Sequence, residues 1–124
     1  RRGTIMQTLH VLTDSSFNKD IHDPNLENLQ GAVGGLIQAV DLTPELTMWC
    51  NDEGKMMGLP VNPVATALWT RCFGETDVIV GNVVFTGGSD EEGETTGLLN
   101  EHCAEIEKLC TRYANAMEGN WTVV

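Results

Sequence analysis

The sequence predicts an α+β fold: a single domain with a small, mostly antiparallel or mixed sheet, two short helices and one long C-terminal helix. Three observations predict it. Apolar residues alternate or run together in four short segments, the pattern of strands. Two stretches begin with an acid-Pro or Asn-Pro pair and continue with apolar residues at helical spacing. A long final stretch carries a regular apolar stripe. With 124 residues and 41% hydrophobic content, the chain suits one domain with a real core.

Residues 4–12, TIMQTLHVL, alternate and are rich in β-formers, giving a first strand. TDSSFNKDIHD reads as a polar connection. At Asp23-Pro24 a short side chain that caps free N–H groups precedes a Pro suited to a first helical turn. Leu26, Leu29 and Val33 follow at helical spacing, and Gly34-Gly35 ends that helix. A second strand covers 36–42. Residues 45–50 form a third, and the turn Asn51-Asp52-Glu53-Gly54 returns the chain as KMMGL, the partner in a hairpin. Asn62-Pro63 repeats the helix-start device, with Val64, Ala67, Leu68 and Cys72 marking the buried side and Gly74 the stop. Residues 77–85, DVIVGNVVF, are apolar at both parities, so both faces of this strand are expected to be covered. Gly81 within it marks a bulge or a close backbone approach. A mobile, solvated loop, TGGSDEEGETTG, leads to the last helix, whose stripe runs Leu99, Cys103, Ile106, Cys110, Tyr113, Met117. Gly119-Asn120 stops that helix, and WTVV adds a short strand.

Charge is the global anomaly. Eighteen acids face seven bases, for a net charge of -11, and the stretch from Glu75 to Glu107 has no Lys or Arg. Direct binding to nucleic acid or to anionic lipid needs a cationic face, so neither is expected. The apolar runs are too short to span a bilayer. No long apolar stretch follows Arg1-Arg2-Gly3-Thr4, so no secretory leader is expected in these residues. Cys50, Cys72, Cys103 and Cys110 form no C-x-x-C pair and fall mostly in apolar segments, as buried free thiols would. A cytoplasmic location follows from that cysteine usage.

Reactive constellations do not emerge. His102 and Cys103 are adjacent on one helix and point about 100° apart, and Cys110 is two turns from Cys103, so no zinc site is expected there. Neither register of an EF-hand fits the acidic loop: one places Cys103 where the last acid belongs, the other Gly88 where the first belongs. His10 reads as a core or edge residue of its strand, and no nucleophile motif accompanies any of the three histidines. No metal, no cofactor and no enzymatic activity are expected.

The segments NDEGKMMGLPVNPVATAL and DVIVGNVVFTGG together resemble the core of a family of small uncharacterised proteins from bacteriophages and conjugative elements. LENLQGAVGGLIQAVDL resembles the leading helix and strand of that family. The resemblance spans about 5–88, leaving 89–124 as an acidic loop and a helical extension of the same domain. Its matching positions are Asn51, Glu53, Gly54, Gly58, Leu59, Pro60, Asn62, Ala65, Thr66, Gly81 and Asn82. It implies a setting among phage and plasmid accessory genes, often near anti-defence modules, and no specific activity.

Two functions are therefore expected, and an enzyme of unknown type ranks behind both because no nucleophile–base or metal constellation emerges. In the first, the protein binds and inhibits a host protein, presenting Asp90, Glu91, Glu92, Glu94, Glu101 and Glu105 to a basic surface that normally holds DNA. In the second, Asn51, Asn62, Thr66 and Asn82 converge with Trp49 and Trp69 on a nucleotide-like small molecule. A homodimer or larger assembly is also expected, because the Leu99–Met117 stripe is regular enough to pair with its own copy.

Overall fold

A computed structural model describes residues 5–117 of the chain, the side chain of Met117 excepted. The expected helix stop at Gly119-Asn120 and the strand at 121–124 lie outside the described residues. Strands β1 (Met6–Val11) and β2 (Phe17–His22) form one hairpin, and β3 (Ile37–Thr43) and β4 (Leu46–Asn51) another. The short strand β5 (Val83–Thr86) inserts between them. The sheet order is β2-β1-β5-β4-β3, antiparallel throughout. Helices are α1 (Leu26–Val33), α2 (Pro63–Phe73) and α3 (Asn100–Met117).

The strand register sorts side chains into two layers. Leu9 pairs with Phe85, Phe85 with Met48, and Met48 with Val40, so these four share one face. Leu9, Val11, Met48, Val83 and Phe85 are essentially inaccessible and join Val64, Leu68, Cys103, Ile106 and Cys110 in the main core. That face is therefore roofed by α2 and α3, which also touch each other. The opposite face carries Thr8, His10, Val84 and Trp49 and lies under α1, which buries Leu29 and Val33. All four β5 residues are buried, as expected of a central strand apolar at both parities. Gln7 fixes where α3 begins: its backbone carbonyl accepts from Leu98 N at 2.9 Å, and its side chain donates to Leu98 O and Asn100 Oδ1.

Several local expectations are corrected. FNKDIH is strand β2, not a connection. It is an edge strand whose first five residues are exposed, so no buried alternation marks it. Asn25, not Asp23, caps α1, accepting from Asn28 N at 2.8 Å, and Pro24 precedes the cap. KMMGL does not return as a strand. Residues 52–58 wind into a compact turn closed by Met57 N to Glu53 O and Leu59 N to Gly54 O, with Gly58 at φ +70°. Only the last part of 77–85 is strand. Cys72 is exposed, and Ala65 rather than Ala67 completes the buried side of α2 with Val64 and Leu68. The helix devices at Asn62-Pro63 and Gly34 stand as read: Asn62 caps α2, Pro63 is its first residue, and Gly34 ends α1 at φ +80°.

Candidate functional site

The family-like core residues build a polar clasp. Asn62 is fully buried at the head of α2. Its Oδ1 accepts from Ala65 N at 3.1 Å, while its Nδ2 donates to Val11 O at 3.1 Å and Gly81 O at 2.9 Å. Thr66, one turn on, bonds both backbone groups of Ile79: its hydroxyl donates to the carbonyl at 3.2 Å and receives the amide at 3.0 Å. Asn82 Oδ1 accepts from Thr13 N at 3.1 Å. The end of β1, the head of α2 and residues 79–82 are thereby tied together. Gly81 sits inside the clasp at φ +81°, and a Cβ there would lie 2.8 Å from Leu59 Cδ1, the close approach that its place in the sequence suggests.

The other ligand-binding candidates lie elsewhere. Asn51 is buried at the end of β4. It donates to Val33 O at 3.2 Å and accepts from Glu53 N at 2.8 Å, and so joins the end of α1 to the 52–58 turn. Trp49 donates to Thr86 Oγ1, and Trp69 donates to Thr76 Oγ1 with its ring 4.5 Å from that of Phe73. Asn62 and Thr66 thus both anchor residues 79–81 and Asn82 ties the next position to Thr13, while Asn51, Trp49 and Trp69 make their bonds elsewhere. Each of the six has a hydrogen bond within its own chain.

The acidic loop is folded rather than slack. Gly87 N bonds Thr96 O, Thr96 N and Oγ1 both reach Gly88 O, and Ser89 bridges Thr95. Asp90 organises the tip, its Oδ1 accepting from Glu92 N at 2.8 Å and Glu94 N at 2.9 Å. Gly88 packs so closely that a Cβ would fall 1.9 Å from Pro44 O. Glu91 and Glu92 project into solvent from this base. Among the described residues no ion pair reaches Asp90, Glu91 or Glu92, and the pairs Lys19–Glu107 and Lys55–Asp77 lie elsewhere. Glu101 and Glu105 follow on the exposed side of α3, with Glu105 3.8 Å from Arg71 of α2. In the α3 stripe, Cys103, Ile106 and Cys110 face this chain's own core, so they are not presented to a second copy.

The structure brings together a group that sequence reading missed. His10 of β1 and His22 of β2 lean toward each other over the Thr8–Asp20 pair, their Nε2 atoms 3.0 Å apart and their rings edge-on at 5.2 Å. His22 Nε2 is also 3.0 Å from Thr8 Oγ1, and its Nδ1 is buried without a partner. Burial pushes the His10 pKa below its ordinary value and neighbouring His22 adds to this, while the Asp20 carboxylate opposes it. One nitrogen of the close Nε2 pair must donate and the other accept. The signal that could have found this group was the x-Asp20-x-His22 alternation facing Thr8-x-His10, legible only once β2 is recognised as a strand.

The fold is a five-stranded antiparallel sheet roofed by helices on both faces, with a polar clasp around the buried Asn62 and a hydrogen-bonded acidic hairpin. Within that class the chain belongs to the DUF3846 family, a domain of unknown function, whose model matches residues 6–111. The match takes in the acidic loop and most of α3, beyond the 5–88 span of the resemblance. No curated protein and no solved structure matches the chain. Among the described residues no helix is long and apolar enough to cross a membrane.

Proposed function

We propose that this DUF3846 protein is a non-enzymatic accessory protein of a phage or mobile element that binds a basic surface on a host protein in the cytoplasm. The contact is made by Glu91, Glu92 and Glu94 on the Asp90 turn, with Glu101 and Glu105 of α3 beside them in sequence. One observation carries the reading: the acidic tip is pre-organised. A loop held by Gly88, Thr96 and the Asp90 carboxylate presents its charge without first being ordered, which lowers the entropic cost of association. The resemblance of the core to phage and conjugative-element proteins supplies the setting. The nucleotide-binding reading has no comparable support, since Asn51, Asn62, Thr66, Asn82, Trp49 and Trp69 are engaged in holding the fold.

Capture from host lysate at low and high salt tests the proposal. A basic protein partner should be retained at low salt and released as salt rises. Glu91→Gln with Glu92→Gln should weaken capture without changing the melting temperature. Retention of the same partner by that variant, or no partner at low salt, would defeat the reading.

A further inference from the structure

We propose that His10, Asp20 and His22 form a binding site for a divalent first-row metal ion of the zinc type. The three residues project from the same face of the β1–β2 hairpin, and one donor atom from each lies within 4.8 Å of the others. Two donors on one ion at about 2.1 Å stand at most about 4.2 Å apart, and adjacent ones about 3–3.4 Å. The two Nε2 atoms, at 3.0 Å, already have the spacing of neighbouring ligands. Asp20 is exposed, so a small side-chain rotation closes the remaining gap, and the Ile21 amide steadies its carboxylate at 2.8 Å. Two imidazoles and a carboxylate match the preferences of zinc, nickel, cobalt or iron(II) rather than of calcium or magnesium. Three protein ligands also leave a coordination position open.

The surroundings give that position room. The group lines an open cleft of about 310 Å³ that is bordered on the α1 side by Asn28, Gly31 and Ala32. Gly31 lies within a helix, where glycine is unfavourable relative to alanine. No packing contact requires it, because a Cβ there would meet nothing within 4 Å. Its position on the cleft leaves space for water or a small anion on the bound ion. The chain's net charge of -11 favours cation capture as well.

The test uses the full chain without an affinity tag, stripped with chelator and titrated with zinc chloride and, separately, cobalt chloride. One ion per chain should bind in the micromolar range or tighter. His10→Ala and His22→Ala should each weaken binding by at least about 100-fold, and Asp20→Asn by about tenfold. His102→Ala and Cys72→Ser should bind as wild type does. A measurement on the unaltered protein stands independently of how well the variants fold: cobalt should broaden the ring-proton resonances of His10 and His22 and leave those of His102 sharp. Failure to bind either ion, undiminished binding by the double His10→Ala/His22→Ala variant, or broadening confined to His102 overturns the assignment.

Discussion

The side-chain amide of Asn62 donates to the Gly81 carbonyl at 2.9 Å, joining the head of α2 to the segment that leads into the central strand. The same side chain caps α2 and holds Val11 O, so one buried residue fixes three parts of the chain. From the sequence, Asn62→Ala loses a helix cap, worth about 1 kcal/mol. The structure raises that figure, because the substitution also removes the side-chain donor to two carbonyls, Val11 O and Gly81 O. Urea denaturation should show a loss of about 2–4 kcal/mol. Asn62→Asp keeps the cap acceptor but not the donors, and should be no better than alanine.

Two glycines should respond in opposite directions. At Gly88 a Cβ would collide with the Pro44 backbone, which cannot yield as a side chain can. Gly88→Ala should therefore destabilise by at least about 3 kcal/mol. At Gly31 nothing lies within 4 Å, and Gly31→Ala in mid-helix should stabilise by about 0.5–1 kcal/mol. Equal effects of the two in thermal melts would contradict this packing.

Within the acidic loop, charge and architecture separate. Glu91→Gln with Glu92→Gln should alter stability by no more than about 0.5 kcal/mol, since both side chains are exposed. Asp90→Asn keeps an oxygen for the Glu92 and Glu94 amides and should be similarly mild. Asp90→Ala removes that acceptor and should cost about 1 kcal/mol. Amide hydrogen exchange at Glu92 and Glu94 should quicken in the alanine variant alone.

The cysteines carry a pH signature. Burial pushes the Cys110 thiol up to about 12 and the Cys50 thiol up to about 11, with nearby carboxylates adding to both. The folded state thus keeps these protons above the ordinary thiol value of 9.0, where the unfolded chain releases them. Their contribution to stability is complete below pH 9 and declines as pH rises from there through about 11 and 12. Denaturation curves between pH 9 and 11 should be less pH-dependent for Cys110→Ala than for wild type. At pH 8 a thiol reagent should label exposed Cys72 rapidly and the three buried thiols only on unfolding.

Some of this was determined by the sequence alone. The Asn62-Pro63 cap, the Gly34 stop and the Cys103–Ile106–Cys110–Tyr113 part of the α3 stripe are local, each depending on a few neighbouring residues whose backbone preferences and spacing suffice, whereas Leu99 of the expected stripe lies exposed just before the helix. The two-sided burial of β5 was equally legible, because Val83, Val84 and Phe85 are apolar at both parities. Tertiary structure decided the rest. β2 is a strand because β1 offers it a hydrogen-bonding edge, not because FNKDIH has a buried face. The 52–58 segment coils because Asn51 ties α1 to the turn and Gly54 packs against Val80, whose Cγ2 would be 2.8 Å from a Cβ there. The candidate sites divide in the same way. The acidity of 90–94 is plain in the sequence, but the folded form that presents it depends on Gly88 packing against Pro44 in the turn that enters the neighbouring strand β4. The His10–Asp20–His22 group is invisible until strand pairing is known, because register, a non-local property, sets which side chains share a face.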